Sequence, residues 1–301
     1  MKLHENKQEF YDTILAVANK LNVSPAIVEK DYYVTLFLKT LVRKTPNILF
    51  KGGTSLSKCY KLINRFSEDI DLTLEPNKQT PANKRDLKLK IMEVCSDLGL
   101  DIINISEIRS RRDYNKYIIN YPVFFKGIGI KPHILVETVF MVDSFPSEVK
   151  LSSSMINDFL EITKDYSTIE EYEMEPFEIS VQCLERTTID KVFALCDYAV
   201  SNNLSGYSRH IYDLYKLIKV VKLDESLKLL VTETRNARKK HKRCYTANDK
   251  YNIPNILRQI IVDKVYYEDY INITEKVLFD NTSYDLAIEA LNTIIESGIF
   301  E

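Results

Sequence analysis

Two aspartates one residue apart, Asp69 and Asp71, follow the turn-forming stretch Gly52-Gly53-Thr54-Ser55, with fifteen residues between Gly53 and Asp69. On an extended strand, side chains at i and i+2 project to the same side. Asp69 and Asp71 therefore share a face, and Ile70 and Leu72 turn the other way into the core. Two carboxylates about 4 Å apart repel by about 4 kcal/mol at an effective dielectric of 20, and a divalent cation relieves that repulsion. Magnesium suits such a pair, because it takes one or two carboxylates and completes its shell with phosphate oxygens and water. A glycine turn opening a helix lets backbone amides approach phosphate closely. Taken singly, the aspartates could be a solvated strand face and the glycines a plain tight turn. Together they favour a grip on a nucleoside triphosphate (NTP) and its metal. The stretch is not a Walker loop, since Lys58 lacks the preceding glycine, and no G-x-G-x-x-G fingerprint is present.

Further along, Glu137 is a charge inside the apolar run His133-Ile134-Leu135-Val136-Glu137-Thr138-Val139-Phe140. A carboxylate there is costly unless paired, exposed or metal-bound. Beside Asp69 and Asp71 it is the candidate third ligand or general base, against the alternative of a strand-end residue facing solvent. Lys191 stands among Val192, Ala194 and Leu195. It either lies in a cleft, where it cancels phosphate charge, or snorkels to the surface. Arg209 and Asp213, four apart, suit a helical ion pair worth only tenths of a kcal/mol, roughly 0.2–0.5. His210 between them is read as structural or exposed. The strongest charge anomaly is 235–243, where Arg235, Arg238, Lys239, Lys240, Lys242 and Arg243 supply six cations in nine residues. Phosphate contacts to RNA would use such a patch, with Tyr245 stacking on a base. A solvated helix end is the alternative.

These residues need elements to hold them. Apolar spacing predicts a helix over Glu5–Leu21 and a second from Pro25 towards Leu41, with Ser24 as N-cap. Ile48-Leu49-Phe50 reads as a short strand that Gly52-Gly53 breaks. Thr54 or Ser55 is expected to cap a helix reaching about Asn64, and 69–74 alternates as a strand. After a helix over Asn83–Leu98 come strand candidates Leu100–Ile105, Lys116–Phe125, His133–Val142 and 176–181, with Ser152-Ser153-Ser154 read as loop. From Thr187 the pattern turns helical: Thr187–Val200, Arg209–Val220, Asp224–Lys239, Pro254–Val265, Asp269–Phe279 and Tyr284–Ser297. The expected fold class is α+β. A mixed sheet with flanking and N-terminal helices, expected to be the catalytic domain, fills 1–180, and an all-helical domain fills 181–301.

The 301 residues, 45% hydrophobic and 28% charged, describe an ordinary globular chain, and a net charge of −2 excludes a generally basic nucleic-acid coat. Cys59, Cys95, Cys183, Cys196 and Cys244 form no C-x-x-C pair, so reduced thiols are expected rather than zinc or disulfides. Met1-Lys2-Leu3-His4-Glu5-Asn6 lacks a signal-peptide apolar run, and no stretch suits a membrane span. A cytoplasmic protein is expected. Tyrosine is frequent, at 19, and tryptophan is absent.

The order Gly52-Gly53-Thr54-Ser55, Arg65-x-Ser67-x-Asp69-Ile70-Asp71 and Glu137 resembles the DNA polymerase β-type nucleotidyltransferase superfamily. Within it the chain is similar to the AbiEii/AbiGii toxin family of abortive-infection and type IV toxin–antitoxin systems. Glu29-Lys30-Asp31-Tyr32-Tyr33, Thr188-Ile189-Asp190-Lys191 and Arg209-His210-Ile211-Tyr212-Asp213 extend the likeness over most of the chain, and Asp269-Tyr270 and Thr274 fit its C-terminal helices. The resemblance implies a Mg²⁺-dependent nucleotidyltransferase. Asp69 and Asp71 would hold the metal, with Glu137 as third acid. Gly52, Gly53, Thr54, Ser55, Arg65 and Ser67 would hold the NTP. Lys191 would contact phosphate and Asp213 would complete the site. It also implies a cognate antitoxin and an acceptor that is an RNA 3′ end, such as that of tRNA. Transfer to a protein side chain, or a non-catalytic binding module on this fold, are the alternatives.

Overall fold

The computed structural model describes residues 1–127, 130–140 and 144–301. In chain order the principal elements are α1 (Lys7–Leu21), α2 (Pro25–Lys44), β1 (Ile48–Lys51), α3 (Gly52–Lys58), β2 (Asp69–Leu74), α4 (Pro81–Asp97), β3 (Asp101–Ile102), β4 (Tyr114–Asn120), β5 (His133–Val139), β6 (Ser147–Ser152), α5 (Met155–Thr163), α6 (Tyr166–Glu171), β7 (Phe177–Gln182), α7 (Leu184–Val200), α8 (Arg209–Leu217), α9 (Glu225–Arg238), α10 (Ile253–Val262), α11 (Tyr267–Asp269) and α12 (Tyr284–Glu296). The chain divides into two compact units. The first comprises 1–61, 67–140 and 147–181; the second comprises 62–66, 144–146 and 182–301 among the described residues.

The first unit is built on one seven-stranded mixed sheet in the order β3-β4-β5-β2-β1-β7-β6. β1 runs antiparallel to β2 and parallel to β7, β2 runs parallel to β5, and β4 is antiparallel to both its neighbours. Ile70, Leu72, Ile134, Val136, Tyr117 and Ile119 are buried on one side of the central strands, and they join Tyr33, Phe37, Leu38 and Leu41 of α2 in a single apolar core. Pro25 opens α2 at its first position, where a missing N–H costs nothing. The Ser24 side chain makes no capping bond there. Three elements lie on either side of the Ser152-Ser153-Ser154 stretch where the sequence pattern predicts none: β6, α5 and α6. β6 escaped notice because its apolar residues, Val149 and Leu151, are both exposed. α5 is capped by Ser154, whose hydroxyl accepts from Asn157 N–H. The strand expected to reach Val142 ends at Val139; Val142 itself lies outside the described residues.

In the second unit the regular elements from Leu184 onward are helices. Ile189, Val192, Phe193, Ile211, Leu214, Leu217, Leu257, Ile260, Ala287 and Leu291 are all buried. The unit is not purely helical, because Arg65 of the 62–66 segment forms an isolated β-bridge with Leu278. The long helix expected over Asp269–Phe279 is a series of short turns, with π geometry over Tyr270–Thr274 and 3-10 geometry over Glu275–Val277. Among the described residues no helix is long and apolar enough to cross a membrane. All five cysteines are free, and burial pushes the thiols of Cys59 and Cys95 up to about 11 and about 12.

Candidate functional site

Strand register assembles the acidic face of the first unit. Asp71 stands opposite Lys51 on one side and Glu137 on the other, and Glu137 stands opposite Lys116. Directly opposed residues share a face of the sheet. One row across four strands therefore reads Lys51, Asp71, Glu137, Lys116, with Asp69 two residues before Asp71 on the same side. Asp69, Asp71 and Glu137 are half-buried, whereas the intervening Ile70 and the opposed Val136 are fully buried. The Glu137 carboxylate accepts a hydrogen bond from the Tyr114 hydroxyl at 3.0 Å and lies 3.9 Å from the Lys116 ammonium.

The glycine turn abuts this row. Gly52 has φ +77°, a region that favours glycine, and a Cβ built on it would overlap the Asp71 carboxylate. Gly52 also begins α3, so Thr54 and Ser55 lie inside the helix rather than capping it, and the helix ends at Lys58 rather than near Asn64. Their hydroxyls have other work. Thr54 Oγ1 and Ser67 Oγ are 2.9 Å apart, tying the glycine turn to the segment that leads into β2. The Ser55 hydroxyl donates to the Gly52 carbonyl at 2.9 Å.

Three charged residues of α2 support this region, and the sequence alone does not mark them as doing so. The Lys30 side chain is fully buried; its ammonium pairs with Glu68 and donates to the Lys131 carbonyl at 3.0 Å. Burial lowers the Lys30 pKa, with Glu68 opposing. Lys30 thus joins the residue before Asp69 to the segment before β5. Asp31 accepts from Lys58 at 2.5 Å and from the Met155 N–H at 2.7 Å. Glu29 accepts from the N–H groups of Phe124 and Phe125 at 2.7 and 3.0 Å. Burial raises the Glu29 pKa, and those two bonds oppose it.

Among the described residues no group of three His, Cys, Asp or Glu side chains stands ready to hold an ion by itself. The pair Asp69 and Asp71 does fit a hard cation that draws its remaining ligands from phosphate and water, as magnesium does. The absence of a side chain at position 52 is what lets the Asp71 carboxylate pack directly against the glycine turn.

In the second unit Asp213 is the centre of a buried charge cluster. Its carboxylate accepts from Arg65 Nε at 2.7 Å, from Arg65 Nη2 at 2.8 Å and from Lys191 Nζ at 2.6 Å. The two cations hold the Asp213 carboxyl well below the usual carboxylate range against the opposing effect of burial. Burial lowers the Lys191 pKa, with Asp213 opposing. Lys191 is therefore neither a snorkelling surface lysine nor a solvated one. His210 sits beside the cluster with its Nδ1 buried, and burial together with Lys191 lowers its pKa well below 6.5.

The basic stretch separates into two kinds of residue. Arg238 is a correction to the surface reading: it is buried, and its guanidinium bonds Asp197 at 2.8 Å and Asp190 at 3.4 Å over the Phe193 ring. Arg235 is half-buried, with its guanidinium 5.8 Å from the centre of the same ring. Lys239, Lys240, Lys242 and Arg243 are exposed.

A family model described as nucleotidyl transferase AbiEii toxin, type IV TA system, matches residues 36–295. That span includes the glycine turn, both aspartates, Glu137, Lys191, Asp213 and the basic stretch. No match was found among curated proteins.

Proposed function

Because the chain belongs to the AbiEii nucleotidyl transferase toxin family, we propose that it transfers a nucleoside monophosphate from an NTP to an RNA 3′ end, with tRNA the leading acceptor. Blocking that end arrests growth, and a partner antitoxin relieves the arrest. The single observation that carries this reading is the sheet face on which Asp69 and Asp71 lie against the glycine turn, with Glu137 across from Asp71.

In the proposed reaction the acceptor hydroxyl oxygen attacks the α-phosphorus. A new O–P bond forms, the bond from that phosphorus to the bridging oxygen breaks, and pyrophosphate leaves with the electron pair. Magnesium bound by Asp69 and Asp71 would supply charge neutralisation at the triphosphate and acidify the attacking hydroxyl. Glu137 takes the hydroxyl proton, its carboxylate oriented by the Tyr114 hydroxyl. Gly52 and Gly53 keep side chains out of the phosphate path, and the joined hydroxyls of Thr54 and Ser67 hold the turn at the start of β2. Within the second unit Asp213 orients both Lys191 and Arg65.

Incubation with α-³²P-labelled NTPs, magnesium, total RNA and cell protein, followed by separation of RNA from protein, tests the proposal. Label at RNA 3′ ends that disappears in Asp71→Ala supports it. Label on protein alone would transfer the chemistry to a protein acceptor. Labelling or growth arrest unchanged by Asp71→Ala would sink the catalytic assignment.

A further inference from the structure

The second unit carries an open cavity of about 330 Å³ formed within one continuous segment, 239–251. Its volume is at the lower end of small-ligand sites, enough for one nucleotide unit and too small for a duplex. Lys239, Lys242 and Lys250 stand around it, and Tyr245, Asn248 and Tyr251 complete the lining that matters here. Tyr245 is 44% exposed, and the Lys250 ammonium lies 4.9 Å from the centre of the Tyr251 ring. Within 239–251 five cations, all exposed, face one carboxylate, Asp249, in a chain whose net charge is −2. Asp249 bonds Lys239 at 2.6 Å and leaves the other four cations in clear excess.

This segment is anchored, not a loose charged loop. Asp197, buried in α7, accepts from Arg238 at 2.8 Å just before the cavity begins. It also accepts from the Thr246 N–H and hydroxyl, both at 2.7 Å, in the middle of the segment. One buried carboxylate thus anchors the chain immediately before the cavity segment and again at its middle. The Asn248 side chain accepts from the Lys250 N–H at 3.1 Å and tightens the turn between the tyrosines.

We propose that this cavity is a docking site for single-stranded RNA, taking one base against Tyr245 and Tyr251 and the flanking phosphates on Lys242 and Lys250. Cations alone would serve an acidic peptide equally well. The two tyrosines beside those cations favour a nucleotide, because base–aromatic stacking with phosphate contacts is the usual combination for single strands. Arg235 and Arg238 take no part, being engaged on the Phe193 side. The proposal rests on the RNA-acceptor reading above and assigns that acceptor a place on the chain.

The test is direct binding by the full chain, without NTP or magnesium, so that it is independent of transfer. Anisotropy of a fluorescein-labelled mixed-sequence oligoribonucleotide is followed over a series of salt concentrations. The same measurement is made with the DNA oligonucleotide and with duplex RNA. The expected result is single-strand binding whose log–log salt slope becomes shallower by about 1.4 in Lys242→Ala/Lys250→Ala, at about 0.7 per phosphate contact. Tyr245→Ala weakens binding about tenfold or more without changing the slope. Lys242, Lys250 and Tyr245 are all exposed, and circular dichroism confirms that the variants fold. Wild-type affinity and slope in both variants overturn the cavity assignment while leaving the acceptor reading intact. An unaltered protein that labels RNA ends but prefers duplex or DNA here also overturns it. No binding and no RNA labelling by the unaltered protein overturn both readings. Variants that bind RNA normally but lose an acidic partner protein would reassign the cavity to that partner.

Discussion

Replacing Asp213 by Asn tests the central electrostatic claim about the second unit. The Asp213 side chain is 0% exposed, and the Arg65 and Lys191 side chains are 2% and 7% exposed. Asparagine keeps the size of the side chain but removes the charge that three short bonds converge on. Two cations then remain together away from water. Breaking a buried pair by removing one partner costs about 3–5 kcal/mol, against a total stability of roughly 5–15 kcal/mol for a domain. With a urea dependence of about 2 kcal/mol per M, the unfolding midpoint falls by about 2 M. Far-UV circular dichroism in urea measures it, since the chain has no tryptophan. Adding Lys191→Met to Asp213→Asn removes one stranded cation, so the double variant is more stable than the sum of the single changes. A midpoint lowered by less than about 0.5 M, equivalent to about 1 kcal/mol, would falsify the buried cluster. Additive single and double variants would do the same.

Three other outcomes are expected. Gly52→Ala places a methyl group against Asp71 at a positive-φ position, so NTP transfer falls at least about 100-fold, at a cost of about 1–3 kcal/mol in stability; transfer near the unaltered rate would show that Asp71 need not occupy this position. Lys30→Met strands Glu68 and destabilises the first unit by about 3 kcal/mol, while Lys30→Met/Glu68→Leu recovers most of that in urea unfolding; no recovery would mean that Lys30 acts mainly through the Lys131 carbonyl. The depressed pKa values of His210 and Asp213 both make stability fall with decreasing pH. His210 contributes below its unfolded pKa of about 6.5 with a slope of up to about 1.4 kcal/mol per unit, and Asp213 adds below about 3.9. A His210→Gln variant should lose the first slope and keep the second, and identical profiles for the two proteins between pH 8 and 5 would refute the assignment.

Much of the acidic sheet face is legible because its logic is local. A two-residue period puts Asp69 and Asp71 on one side whatever surrounds them, and Gly-Gly marks a turn without tertiary help. The row completed by Lys51, Glu137 and Lys116 depends on which strands become neighbours and in what register, which no local pattern specifies. Distance along the chain hides the Arg65–Asp213 pair completely, since 148 residues separate them. For the same reason the sequence by itself offers Asp213 only its helix neighbour Arg209 as an ion-pair partner. Arg238 was placed with the surface cations because charge was read without its partners. Asp190 and Asp197, on another helix, are what draw it inside. Three of the nineteen tyrosines acquire a structural account. Tyr212, Tyr266 and Tyr270 are buried whole, and each hydroxyl reaches a fixed acceptor: Asp280, the Leu195 carbonyl and the Thr282 carbonyl.

The brief passage of 62–66 through the second unit bears on how this protein can be divided. Arg65 is counted with the helices, yet Ser67, two positions later, is counted with the sheet. The Arg-x-Ser-x-Asp-x-Asp signature is thus shared property, crossing from one unit to the other in mid-motif. A fragment beginning at 182 inherits Lys191 and Asp213 without the guanidinium that shares their carboxylate, and a fragment ending at 181 keeps that guanidinium with no carboxylate to receive it. Neither half is a self-sufficient module that recombination could graft elsewhere unchanged. Split-gene complementation, with the two fragments expressed from separate promoters, therefore has to restore a buried ion pair before it can restore toxicity.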